Sequence, residues 1–313
     1  MNLFLTLAPL LVLLGPLLAL AAPSGTAPNL LASTGISSKR QAPPNTVYTR
    51  FPNSESTSLN LTFFVVPAPL ALAKQIAGKE FALLPSFREH LPADVSATIG
   101  EGEHPLFVLA YYSTDVHYGT APFVIDAVSV VQTYAGFVDC TGDGKTACYR
   151  QYAGYFDQLF PALAGNALAA TRLLAGSFKP PHSPYGPVGA GRYGINVTDV
   201  VGGLFGAGRP YTSSWAFDTS AGAGLTGEVV QEWLQGPLVR SLDQGCTKSI
   251  YFFNETTPVR HIVADINVRS PLLPCKGLAG QQLDLKDVLG FAVPVQRAAN
   301  IPPVNCTMYA NGA

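Results

Sequence analysis

The chain has 313 residues, of which 12% are charged, and its formal net charge is −1. With no basic patch to follow a phosphate backbone, nucleic acid is excluded as a partner. No low-complexity tract or internal repeat interrupts the sequence, so a single compact domain follows the N-terminal region.

Leu3 to Ala22 is almost wholly apolar and uncharged, and closes on Ala19-Leu20-Ala21, the small-x-small pattern behind which signal peptidase cuts. About 20 apolar residues also suffice to span a bilayer. Gly15-Pro16 breaks that helix, however, and residues 1–21 are assigned as a signal peptide. Residues 22–40 are rich in Pro, Ser, Gly, Ala and Thr without apolar periodicity, which marks a propeptide or linker, and they end at the dibasic pair Lys39-Arg40. The mature domain is then 41–313, with no membrane span after signal cleavage. Its expected location is extracellular or the lumen of the secretory pathway.

Within that domain, segments rich in β-branched and aromatic residues and bounded by Gly, Pro or Asn predict strands at Ser58 to Val66, Leu106 to Tyr112, Phe123 to Val138, Lys248 to Phe253 and His261 to Val268. In the last of these, Ile262, Ala264, Ile266 and Val268 fall on one face and Val263, Asp265 and Asn267 on the other. Ala68 to Ala77, opened by Pro67 and Pro69 and closed by Gly78, predicts a helix, as does the Ala/Leu-rich Ala162 to Ala175. Many short strands punctuated by 30 Gly and 26 Pro give a mainly β, β-rich α+β class: a barrel or sandwich with a few helices.

Five cysteines follow residue 40, and in an oxidising compartment they tend to pair. Cys140 and Cys148 flank a turn containing Asp143-Gly144 that folds the chain back, so a disulfide between them is expected. Cys275 with Cys306 is a second expected pair, leaving one thiol over. Asn60, Asn196, Asn254 and Asn305 each begin an Asn-x-Ser/Thr sequon and are expected to be exposed and glycosylated.

Several motif-like stretches lack the context their chemistry requires. Gly189-Ala-Gly191-Arg-Tyr-Gly194 has the spacing of a pyrophosphate cradle but follows a Pro-rich stretch, with neither the strand nor the helix such a cradle joins. Gly144-Lys145-Thr146 would need an earlier glycine where Asp139 stands, and a calcium loop starting at Asp139 would close on Arg150 instead of a carboxylate. The five histidines show no metal-ligand spacing, and no G-x-S-x-G elbow is present. No metal or cofactor is implied.

The run Glu232-Trp-Leu-Gln-Gly-Pro-Leu-Val-Arg-Ser-Leu, followed by Pro258-Val-Arg-His-Ile-Val-Ala-Asp-Ile266, resembles the acetoacetate decarboxylase family. That family pairs a Trp-x-Gly-Pro segment with a His-Ile-x-Ala-Asp-Ile strand. Leu59-Asn-Leu-Thr-Phe-Phe and His104-Pro-Leu-Phe-Val-Leu fit two of its early strands more loosely. The resemblance implies a closed antiparallel barrel with a few helices. It also implies a Schiff-base lysine that draws off the electron pair released as carbon dioxide leaves a β-keto acid. The family motif reads Gly-Arg-Glu, five residues, Lys-Lys; here Thr171-Arg172-Leu173 precedes Lys179-Pro180 at the same Arg-to-Lys spacing, so Lys179 falls on the Schiff-base lysine. The unadorned alternative is a solvated loop lysine.

An imine-forming amine must be neutral, and the family achieves this with a desolvated pocket and a neighbouring cation. That cation's position holds Pro180, the motif glutamate is Leu173, the early pocket arginine falls near Ser56, and a second-strand carboxylate falls near Ala110. Asp126 lies within a residue of the remaining pocket carboxylate. Three functions follow: a Schiff-base lyase using Lys179, Asp126 and Arg172 on a keto acid or related carbonyl compound; a non-catalytic barrel binding an apolar small molecule; or a structural glycoprotein needing no pocket. The retained spacing to Lys179 favours the first, and Pro180 and Ser56 favour the second. A homo-oligomer is compatible with each.

Overall fold

A computed structural model describes residues 44–121, 124–159, 161–162, 166, 170–200, 208–218, 224–253, 259–276 and 279–312. The signal peptide and propeptide assignments lie outside these residues, as does the Asn254 sequon. Among the described residues, no helix is long and apolar enough to cross a membrane.

The central strands read as nearly continuous apolar runs because both of their faces are buried. In β1 (Glu55–Pro69), Phe64 and Val66 face one core while Leu61, Phe63 and Val65 face another. Eight further strands complete a ring: β2 (Glu103–Tyr118), β3 (Val124–Asp139), β4 (Ala147–Phe156), β5 (Leu173–Lys179), β6 (Arg192–Asp199), β7 (Tyr211–Phe217), β8 (Arg260–Arg269) and β9 (Gln282–Ala299). Neighbours in this order pair antiparallel, apart from β4 with β5, which run parallel over Gly154–Phe156 and Leu173–Ala175. Pairing of β9 with β1, from Glu55 opposite Ala299 to Phe64 opposite Gly290, closes the barrel and leaves no open edge in the ring.

Every barrel strand contributes to one buried cluster, with Phe64, Tyr155, Tyr211 and Trp215 fully buried in it. Helix α1 (Leu70–Ala77) adds Leu72, Ala73 and Ile76 to the same cluster. It begins after Pro69 instead of at Ala68, because Ala68 and Pro69 still pair with His104 and Glu103, and it ends at Gly78, whose φ of 82° suits glycine. The second cluster lies on the outer face of β9, β1, β2, β3 and β4, with a short α2 (Ala93–Ala97) and α3 (Gly227–Gln235) beside it. Trp233 of α3 stacks on Phe107 with ring centroids 5.7 Å apart, and its indole N–H donates to the His90 carbonyl at 3.0 Å.

The sheet closes a second time on this outer side. Leu238–Val239 runs parallel to Tyr149 and Arg150 of β4, and Cys246–Thr247 pairs back onto it. One residue later, Ser249–Phe253 pairs with the Val295–Ala299 end of β9. Two disulfides pack beside this closure: Cys140–Cys148, with Cα atoms 5.9 Å apart, and Cys246–Cys306, at 5.0 Å.

Cys140–Cys148 is the pair expected from the intervening turn. The expected Cys275–Cys306 pair is corrected to Cys246–Cys306, because a two-way backbone bridge between Cys246 and Val304, with both N–O distances 2.9 Å, sets Cys246 beside residue 306. The expected Ala162 to Ala175 helix is corrected at its C-terminal end: Leu173 to Ala175 belong to β5, where pairing with Gly154–Phe156 overrides the helix propensity of an Ala/Leu run. Residues 163–165 and 167–169 lie outside the description. The Gly189–Gly194 stretch is a hairpin turn between Gly186–Gly189 and β6, with Gly189 at φ 106° and Gly191 at φ 72°. In the Cys140–Cys148 turn, Asp139 accepts from the Gly142 and Gly144 amides and Asp143 from those of Lys145 and Thr146, so these carboxylates serve the turn.

Candidate functional site

The nine-stranded ring is packed with side chains. A cavity of about 150 Å³ lies outside its wall, beneath the second closure. Leu59, Val128, Val130, Phe156, Leu173 and Ile301 are among the residues of its apolar wall. It has room for several waters' worth of ligand, since one water needs about 10–15 Å³ of such space.

Polar groups on the wall are mostly paired with one another. Thr57 and Ser113 share a hydrogen bond of 2.6 Å. The Tyr111 hydroxyl donates to Gln132 Oε1 at 3.1 Å, and Tyr134 donates to the same oxygen. Arg297 of β9 forms an ion pair with Glu55 of β1, its register neighbourhood across the barrel seam. Arg240 pairs with Asp243, its Nε donating at 2.9 Å. Two buried donors break the pattern: Gln151 Nε2, on a residue 1% exposed, and Arg297 Nε have no hydrogen-bond partner.

Burial governs the protonation of this wall. It pushes the Tyr111, Tyr134 and Tyr118 phenols up, which keeps them neutral donors at ordinary pH. It pushes the Arg297 guanidinium down to about 10, so that group still carries its charge at neutral pH.

The residues expected to act lie elsewhere. Lys179, the last residue of β5, is exposed and does not line the cavity: with Phe178 turned into the barrel core it shares the outer face with the cavity-lining Leu173, but it stands at the opposite end of the strand. The expected apolar setting for its amine is thereby corrected. Asp126 is exposed, whereas Ile125 beside it lines the cavity. Arg172 is half-buried and turns away between two cavity residues, Thr171 and Leu173; its Nη1 donates to the Tyr152 hydroxyl at 3.0 Å. The structure does not assemble these three at one site on the cavity.

The offset recurs along the early strands. Ser56 is buried against Asn45 Nδ2 at 3.0 Å, while the adjacent Glu55 reaches the cavity; Ala110 sits in the barrel core, while Tyr111 reaches it. A shift of one residue exchanges the faces of a strand, and the motif alignment falls one residue to the wrong side at each place. Glu55, Tyr111, Gln132, Gln151, Arg240 and Arg297 were therefore missed, although alternation around Ile125 and Thr171 carries the signal. Of the described sequon residues, Asn305 is exposed, whereas Asn60 and Asn196 are half-buried within β1 and β6.

A closed, mainly antiparallel β-barrel with a lateral cavity is thus the class that the fold and site define. No family model matches the chain, and no curated protein matches it either. Among solved structures it is similar to the enduracididine biosynthesis enzyme MppR complexed with pyruvate, with 14% identity over 89% of this chain and 96% of that one and a TM-score of 0.48. It is also similar to acetoacetate decarboxylase from Legionella pneumophila, with 11% identity, coverage of 78% and 86%, and a TM-score of 0.43. Both of those proteins are named as enzymes.

Proposed function

We propose that the protein binds a small, largely apolar molecule non-covalently in the cavity under the second closure. One observation carries this reading: among the described residues, the cavity wall contains no lysine, and Lys179 is exposed at the opposite end of β5 from the cavity-lining Leu173. Imine chemistry needs an amine held in a desolvated pocket, where its ordinary pKa of about 10.4 is brought down by several units. The wall supplies instead an apolar surface with a few placed polar groups, the usual make-up of a small-molecule site. Passage through the secretory pathway is part of the same proposal, supported by two disulfides of the kind an oxidising compartment maintains and by the exposed Asn305 sequon.

The test combines binding and trapping on the full chain. An environment-sensitive apolar fluorophore is expected to bind at one per chain and to be excluded by Val130→Trp, which fills the cavity. Borohydride reduction in the presence of acetoacetate is expected to leave every lysine unmodified by mass spectrometry. A reduced adduct on Lys179 that is lost in Lys179→Arg would replace this reading with the Schiff-base lyase.

A further inference from the structure

Resting on the non-covalent reading, we infer that the cavity's ligand is uncharged and is held through hydrogen-bond acceptor oxygens, as in a ketone, ester or ether with an apolar body. Two independent features of the wall lead there. The first is the pair of orphaned donors. Gln151 Nε2 and Arg297 Nε are both buried, both belong to cavity-lining residues, and neither has a partner in the protein. A buried N–H left unpaired costs most of its desolvation penalty, so native proteins seldom keep one unless something else completes it. Both groups offer hydrogens, and the complementary atom on a ligand is an acceptor.

The second feature is the charge already present. The Arg297 cation is matched by Glu55, and Arg240 by Asp243, so neither guanidinium waits for an anion. The two wall phenols that meet at Gln132 donate to its Oε1, and their hydrogens are committed. A carboxylate entering this space would compete with Glu55 for Arg297 or stay unpaired among Leu59, Val130 and Leu173, and an unpaired ion in such surroundings is strongly disfavoured. An uncharged oxygen meets the free donors without adding a charge. The same wall that would reject a keto acid therefore suits a neutral carbonyl compound of similar size.

The discriminating probes are 2-octanone and octanoate, which match in length and differ in charge. Titrated calorimetrically into the full chain at pH 7, 2-octanone is expected to bind at least about tenfold more tightly than octanoate, the difference set by a few kcal-scale polar mismatches. Gln151→Leu and Gln151→Met each remove the donor and nearly keep the volume. Each is expected to weaken 2-octanone by about tenfold while leaving the urea midpoint close to that of the parent. Should Gln151→Leu fail to fold, the unbranched Gln151→Met alone decides the matter. Octanoate binding as tightly as 2-octanone, or 2-octanone indifferent to both substitutions, would overturn the neutral-acceptor assignment while leaving non-covalent binding intact. If neither probe binds, or if Val130→Trp binds them as well as the parent does, the cavity reading itself is lost.

Discussion

The two faces of β9, β1, β2, β3 and β4 have been put to opposite uses. Toward the barrel axis they present Phe64, Val108 and Val131 to a core completed by Trp215 and Tyr211, and that space is filled. On the other side, near the second closure, the same strands present Thr57, Ser113, Val128 and Arg297, and a void persists. Strand alternation makes this division possible, because neighbouring residues project to opposite faces and each face can be specified separately. What separates a packed core from an open chamber here is side-chain size and pairing on one face, on a shared backbone.

The sharpest way to break this comparison is to truncate a side chain on each face. Trp215→Ala opens a hole in a filled core and is expected to cost about 3–5 kcal/mol of unfolding free energy in urea. Val128→Ala, on the cavity wall, adjoins space that is already empty and should cost only the transfer of its methyl groups, about 1.5 kcal/mol. Val131→Ala, which removes the same two methyl groups from the filled core, is the matched control and should cost more than Val128→Ala; equal costs would mean that the two faces are packed alike.

The disulfides offer a second contrast. Replacing both members of Cys246–Cys306, which closes 60 residues, is expected to cost about 4 kcal/mol; removing Cys140–Cys148, which closes 8, about 2.5 kcal/mol on the chain-entropy account. A larger loss from the short loop would show that strain or local packing dominates, and differential scanning calorimetry of the two double-alanine variants distinguishes these outcomes.

The smallest expected effect concerns Asp157, one residue beyond the cavity-lining Phe156. Burial pushes its carboxyl above the usual range, against the opposing pull of hydrogen bonds from Ser129 and of His182. A raised folded-state pKa favours the protonated folded form, so this contribution is fully present below about pH 3.9, the ordinary carboxylate value, and is lost as pH rises through the folded pKa. Asp157→Asn should therefore raise the melting temperature at pH 7 and leave it nearly unchanged at pH 3. A gain of the same size at both pH values would refute the electrostatic explanation.

Four of the nine barrel strands, β1, β2, β3 and β8, were legible in the sequence because each carried a clear β signal, as in Ser58 to Val66 and His261 to Val268. β9 was not, and Pro294 within it is one reason, because proline cannot donate to a ladder. Its position explains the tolerance: β8 pairs with β9 up to Ala292, Ser249–Phe253 takes over from Val295, and Pro294 falls in the handover between them. β5 was hidden by its Ala/Leu composition, which local propensity assigns to a helix and sheet pairing overrules. The site was less legible than the fold. Glu55 and Arg297 are 242 positions apart and meet through the register of β1 with β9, which no local pattern encodes.

The double role of β9 bears on how the protein is made. Both rings pass through it: one edge pairs with β1, while the other is divided between β8 and Ser249–Phe253. A nascent chain emerging from the ribosome can therefore close neither ring until residues 282–299 are available, more than 200 residues after β1 has been synthesised. Until then β1 and β8 present unpaired, apolar edges, the kind of surface that recruits chaperones and invites pairing between chains. Loop closure over such a span also slows the search for the native pairing. Chains truncated before residue 282 should accordingly be among the most aggregation-prone forms of this protein.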